Sequence, residues 1–436
     1  SAPKYCIRCL GARGSHASLA MRNDPQRLAW AVMLAAFGTF CITVIAVPLS
    51  VRWLLNNSGR SQSVTLTLAT GSAYASRPSV GIAEAVFGSL ENLQSGTALE
   101  TTGASRATLD FSAPFTNETL GAVNLYSDTQ LVMLRANTPR FEFSPQPHLI
   151  DVSLRRGRLR ASAAAGTTRA VQLIIRTPQA NITLDAAGIV SVEVTAGETS
   201  VSVRDGTATV TTLASTLQLA ADERTIVRTG TSELVVLRGQ RNLVRNGNFA
   251  AAITDGWTTF RNRADAAEAP GEVQLGEQQG RTAVQLARRG INWAETGVKQ
   301  DLKYDVRDLR RLTLHLDLWL AFQDLRNCGT LGTECPLMLR IEYSDANGKP
   351  TEWLQGFYYL ASTDAGTSKR CVVCSPPTSD HQFAQRAEWY GYDSPNLLEL
   401  FKTGGRPPVS IDTISLYASG HSFESYVGAV ELLAED

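Results

Sequence analysis

The sequence predicts an all-β protein: two extracytoplasmic β-domains in series, the second a β-sandwich, carried on one N-terminal transmembrane helix. Three observations predict this. Leu28–Val51 is an uncharged, apolar stretch of 24 residues. Residues 61–238 are built from short runs that alternate apolar and polar side chains, punctuated by Gly and Asp-Gly. From residue 242 such runs continue, and five of the seven Trp and eight of the eleven Tyr now accompany them.

A helix crosses a bilayer core with about 20 apolar residues, so Leu28–Val51 is long enough to span. It exceeds the apolar region of a secretory signal and runs into Pro48, Arg52 and Trp53, with no small-residue cleavage site. We place the transmembrane helix at residues 28–55 and a basic cytoplasmic tail at 1–27. Lys4, Arg8, Arg13, Arg22 and Arg27 precede the span against Asp24 alone, while only Arg52 and Arg60 follow closely. The positive-inside rule then keeps the tail in the cytoplasm. Trp30 and Trp53 stand near the two ends, where their rings suit the headgroup level. The expected location is the bacterial cytoplasmic membrane, single-pass, with the bulk of the chain outside. Lys plus Arg and Asp plus Glu are 41 each, so no global field points to nucleic acid as a partner.

Within residues 61–238, Val64–Leu68, Ala107–Phe111, Ser191–Val194, Ser200–Val203 and Thr207–Val210 put apolar side chains on one face at period two, the signature of half-buried strands. Asp205-Gly206 between the last two reads as a hairpin turn, since Gly takes a positive φ at no steric cost. Residues 242–436 hold Thr282–Leu286, Leu312–Leu318, Leu337–Tyr343 and Val409–Leu416, joined by longer loops, and read as a second β-domain of sandwich type.

The seven cysteines divide by compartment. Cys6, Cys9 and Cys41 lie before or within the span. Cys328, Cys335, Cys371 and Cys374 lie beyond it, and an even number there suits two disulfides of open connectivity. The same four could instead build a four-cysteine zinc site. Cys6-x2-Cys9 is half a zinc knuckle, and His16 would be only a third ligand where a structural site needs four. No cofactor is expected. Nor is catalysis: the five histidines are scattered, with no nucleophile elbow, phosphate loop or carboxylate pair that spacing assigns to hydrolysis.

The first β-domain resembles the FecR domain of membrane regulators. The resemblance rests on Gly88–Gly103, Ala107–Phe111, Gly157–Arg160, Arg176–Ala180, Thr199–Gly206 and Leu219–Arg224, strand-and-turn phrases in the family's order. It departs at Ala187–Ile189, where Gly-Thr is usual, and the tail is too short for the helical anti-sigma domain of the usual regulator. The second domain opens with Asn242–Phe249 and Asp255–Trp257, followed by Gly280–Leu286 and later Ser410–Leu416. This is similar to galactose-binding-like jelly-roll carbohydrate-binding modules. Many of those carry an acid after the Phe that supports structural calcium; Ala250 stands there in this chain, so calcium is not carried over.

The resemblance implies sugar binding through aromatic faces. The available rings are Trp293, Trp353, Tyr358, Tyr359, Trp389, Tyr390 and Tyr392, while Trp257 is assigned to the core. The expected site is Trp353, Tyr358, Trp389, Tyr390 and Tyr392, centred on an exposed platform at Trp389–Tyr392 in a Gly-containing loop. The expected function is a membrane-anchored binding or scaffold protein whose distal jelly roll engages a glycan or protein partner. The alternatives are a subunit of a larger membrane complex and a FecR-type transmembrane signalling regulator.

Overall fold

The computed structural model describes residues 25–436 apart from 79, 80, 117, 232 and 365; the expectations for Cys6, Cys9, His16 and most of the tail lie outside the described residues. The chain divides into two compact units, residues 1–61 with 137–147, and residues 62–136 with 148–436.

In the first unit, Pro25–Asn57 is one helix, and Pro25–Leu55 within it is long and apolar enough to span a membrane. Its side chains face outward with no protein cover: Trp30, Phe37 and Ile42 are 61%, 64% and 68% exposed. Two of its three hydroxyls are satisfied locally, Thr39 donating to Ala35 O and Thr43 to Thr39 O at 2.8 Å, which removes polar groups that lipid could not solvate. A short strand, Gly59–Ser61, then pairs antiparallel with Asn137–Pro139.

The second unit is β throughout, except for one short helix. Its first region runs, in sheet order, through Gln130–Pro139, Ala98–Ser112, Thr119–Leu125, His148–Ala163, Gly188–Val194, Glu198–Asp205 and Glu223–Arg228. The period-two pattern fixes the register: Leu109, Phe111, Val123, Val190, Val192 and Val201 all point inward with no exposed surface. Asp205-Gly206 corrects the hairpin reading. Glu198–Asp205 pairs with Gly188–Val194 and Glu223–Arg228, whereas Ala208–Thr211 pairs with Asn181–Leu184 and Thr216–Leu219. The dipeptide is therefore a corner between two ladders. Gly206 has φ of +76°, and a Cβ there would meet Ala187 O at 2.6 Å, so both conformation and space require glycine.

The second region is a sandwich of two six-stranded sheets. One has the order Glu272–Gln278, Arg281–Arg288, Phe423–Glu435, Arg311–Gln323, Trp389–Asp393, with Arg241–Asn242 also on Phe423–Glu435. The other runs Thr258–Arg263, Ala294–Asp305, Pro408–Gly420, Leu337–Asp345, Pro350–Tyr358, Gln382–Phe383. Leu312, Leu314, Leu316 and Leu318 from one sheet meet Leu339, Ile341, Ile414 and Leu416 from the other in a single core. Trp257 is buried in it, its Nε1 donating to Asn246 O at 3.1 Å. The sequence pattern did not anticipate the helix Leu397–Thr403. Asn396 caps it by accepting from Leu398 N, and Phe401 buries its inner face by stacking on Tyr343 at 4.4 Å.

The two β regions have separate apolar cores but meet across an ionic contact. Arg158 of the first region is buried, its guanidinium 4.3 Å from the Tyr126 ring centroid and 4.5 Å from that of Tyr304 of the second. Arg158 also donates to Asp305 O at 3.0 Å, and Arg160 to Asp308 O at 2.8 Å. The Asp308 carboxylate accepts from Arg106 at 2.8 Å and from the Tyr126 hydroxyl. Asp436 lies 3.4 Å from Arg158 and 3.5 Å from Arg160. Two pairs run the other way: Arg241 of the sandwich to Glu193 at 2.7 Å, and Arg310 to Asp222.

Burial alone would raise the Asp308 pKa, but the Tyr126 hydrogen bond with Arg106 and Arg160 holds it below the usual carboxylate range. Asp436 is likewise pushed up by burial and brought down further by Arg241, Arg158 and Arg160. Both groups bind protons more readily when unfolded, so their stabilisation is whole above pH of about 4 and is lost as pH falls through the depressed folded values. We expect the share of thermal stability that this contact supplies, read as the difference between the native chain and Asp308→Asn, to fall only below that pH. Asp308→Ala should cost about 2–4 kcal/mol in urea unfolding, slightly under the range for breaking a fully buried pair because its carboxylate keeps 21% exposure. A change below about 0.5 kcal/mol, as for an ordinary surface substitution, would remove this contact from the stabilising set.

Candidate binding groove

The outer face of the sheet Thr258–Phe383 bears an open groove of about 730 Å³. Strand alternation supplies its floor. Pairing sets Arg340 opposite Ser415 and Leu354, and Glu342 opposite Glu352, all on the face turned away from the core. The Arg340 guanidinium lies 4.4 Å from the Tyr417 ring centroid and donates to the Tyr417 hydroxyl at 3.1 Å. It is ion-paired with Glu295 at 3.0 Å and Glu352 at 3.2 Å. Asn262 holds the second Glu295 oxygen at 3.2 Å. Burial raises the Tyr417 pKa despite Arg340 beside it, so the phenol stays neutral. For Arg340, burial works against the charge, but Tyr417, Glu295 and Glu352 more than compensate.

Trp293 forms one wall, half-buried, its Nε1 donating to Ser419 Oγ at 3.1 Å. Val373, Cys374 and Ser375 form the other. Arg406 also lines the groove and donates to Thr351 Oγ1 at 2.9 Å. A planar ring beside fixed donors and acceptors can take a polar ligand with apolar faces.

The five rings expected to form the site do not converge. Trp353 is 1% exposed, packed edge-on to Phe401 at 6.1 Å, with Nε1 donating to Ser379. Tyr392 is buried against Phe357, where burial lifts its pKa to about 12. Tyr358 is buried in a small cluster with Cys328, Cys335 and Cys371. These three are core residues, because the strand register turns them inward or under the cysteine loops. Trp389 and Tyr390 are half-buried and belong to the opposite sheet. Trp389 lies edge-on to Trp319 at 5.8 Å with Arg281 over its face at 5.0 Å, so it offers no open platform. Trp293, one of the available rings, is the one that borders the groove.

The four outer cysteines pair locally, Cys328 with Cys335 and Cys371 with Cys374, in place of the four-cysteine zinc alternative. His381 sits beside the first pair. Both its nitrogens are used: Gly356 N donates to Nδ1 at 2.8 Å, and Nε2 bonds Gly332 O at 2.7 Å. Burial lowers its pKa, which keeps it neutral. At the sandwich opening, Ala250 N donates to Asn248 Oδ1, and Asn246 closes the loop onto Ala251 and Ala252.

Residues 115–209 match the family described as FecR protein, a narrower span than the phrases from Gly88 to Arg224. No curated protein matches the chain. Among solved structures, a proposed anti-sigma factor from Parabacteroides distasonis is 18% identical, covering 36% of this chain and 71% of its own, with a TM-score of 0.25. A family 11 carbohydrate-binding module from Clostridium thermocellum, in complex with a β-1,3-1,4-mixed-linked tetrasaccharide, is 12% identical over 44% of this chain and 95% of its own, at 0.25. TmCBM61, in complex with β-1,4-galactotriose, is 11% identical over 45% and 99%, also at 0.25.

Because Trp353 fills the core, Trp353→Ala should cost about 3–5 kcal/mol in urea unfolding. A variant of near-native stability would return that ring to the surface and revive the original site.

Proposed function

We propose that this chain is a membrane-anchored binding protein, with its N-terminal side in the cytoplasm and its β-domains outside, whose jelly roll takes a glycan in the Trp293–Arg340 groove without cleaving it. The observation that supports this most is the pairing of a half-open indole wall with a floor of oriented polar groups. A pyranose presents CH groups to a ring and hydroxyls to such donors and acceptors. Each hydroxyl exchanges water for protein, a net gain of about 0.5–1.5 kcal/mol per bond, so stacking on Trp293 carries the discrimination. Binding without cleavage is the reading kept because Glu295 and Glu352 are both ion-paired with Arg340. The FecR match favours a second reading, a signalling or complex-forming role with a protein partner.

Full-length protein in detergent should be retained by at least one member of a broad panel of bacterial and plant glycans. Trp293→Ala should lose at least about tenfold in affinity, the loss of one stacking contact of about 1.4 kcal/mol, and Trp389→Ala should lose little. Retention by no glycan, together with a stoichiometric protein copurifying from native membranes, would replace this reading with the second.

Orientation is tested separately. The excess of basic residues before Leu28 predicts that protease added to spheroplasts removes the β-domains. Protection of residues 242–436 would reverse the topology.

A further inference from the structure

We propose that Cys371–Cys374 is a thiol–disulfide exchange site on the groove wall, reduced by an extracytoplasmic protein dithiol, while Cys328–Cys335 beneath it is an inert structural bridge. The two bridges differ in access. Cys328 and Cys335 have no exposed surface, and the space above them is closed: a Cβ on Gly356 would lie 2.2 Å from Cys335 Sγ. Cys374 is half-buried and lines the open groove, and its neighbours Val372 and Val373 are 58% and 65% exposed. An incoming thiolate can therefore reach one sulfur of the second bridge and neither of the first. The loops differ too. A bridge across three positions constrains the unfolded chain less than one across seven, so opening it loses less stability.

The loop's ends are anchored independently of the bridge. Ser368 N donates to Gly329 O and Val372 N to Leu331 O, each at 3.0 Å, and the Arg370 carbonyl lies where a Cβ on Gly332 would be, 2.0 Å away. On the far side Ser379 holds Trp353 Nε1 at 3.1 Å, and Asp380 O accepts from Gln355 at 3.1 Å. Opening the bridge thus releases the tip, residues 373–376, and leaves the sandwich in place. The step is ordinary exchange. A thiolate of the dithiol attacks Cys374 Sγ, the S–S bond breaks, and Cys371 leaves as a thiolate that takes a proton. The dithiol's second thiolate then attacks its own sulfur in the mixed disulfide and frees Cys374 as a thiolate that takes a proton; the dithiol departs as a disulfide, having given two electrons to the Cys371–Cys374 pair. Because Val373, Cys374 and Ser375 are a wall of the groove, exchange changes its width. The exchange itself does not depend on the glycan reading.

The full chain in detergent, under native conditions, is treated with graded dithiothreitol, quenched with iodoacetamide and mapped by peptide mass spectrometry. Cys371 and Cys374 should be alkylated at least about tenfold faster than Cys328 and Cys335, as accessible and enclosed bridges differ. Amide exchange over residues 373–375 should then rise while Leu337–Asp345 stays protected, and the double variant Cys371→Ser with Cys374→Ser should show the same pattern without reductant. Simultaneous opening of both bridges, the reverse order, or no opening before denaturation overturns the exchange site. Unchanged exchange at the tip after selective reduction overturns its role in the groove wall.

Discussion

The structure beyond the membrane helix turns on Arg158, a guanidinium withdrawn from water and held between Tyr126 and Tyr304, one ring from each β region. A charge in that position has few ways to be tolerated. Here two aromatic faces, a backbone carbonyl and the Asp436 carboxylate replace its hydration. None of these would be supplied by a loosely hinged pair of domains. The contact is also ordered by sign. At its centre the first region contributes Arg106, Arg158 and Arg160, and the sandwich contributes Asp308 and Asp436. To the sides the order reverses, with Glu193 facing Arg241 and Asp222 facing Arg310. Sliding one region across the other would bring like charges together, so the alternation fixes register as well as attraction.

That register decides where the groove faces. Its floor lies on strands continuous with this contact: Ala294–Asp305 carries Glu295 at one end and Tyr304 at the other. The two ends of one strand thus serve the groove and the interdomain contact. Within the groove the charges are already mutually engaged, Arg340 with Glu295 and Glu352, so the floor stays rigid before any ligand arrives.

Legibility in the sequence followed the range of the interactions. The membrane helix and the strand runs depend on periodicity within ten to thirty residues, and Val64–Leu68, Leu312–Leu318 and Leu337–Tyr343 are strands as read. Trp257, assigned to the core from the sequence, is buried there. The ring assignments at Trp353, Tyr358 and Tyr392 failed for a physical reason: in strands a single position separates the core face from the solvent face, and long loops hide which is which. The Asp205-Gly206 corner failed because a turn residue reports φ and not the partner of the next strand. Arg158 and Arg160 stand within the phrase Gly157–Arg160, but their partners in the second β region lie almost 150 residues away or more, beyond any local pattern.

The sign-ordered contact also bears on whether either region can be exchanged. The two β regions read as separable modules, each with its own apolar core. This pair is not separable without loss. Joined to a different neighbour, the sandwich would carry Tyr304, Asp308 and Asp436 onto a face with no guanidinia, and the first region would keep a stranded Arg158. A domain exchanged at the linker between them would therefore break matched halves.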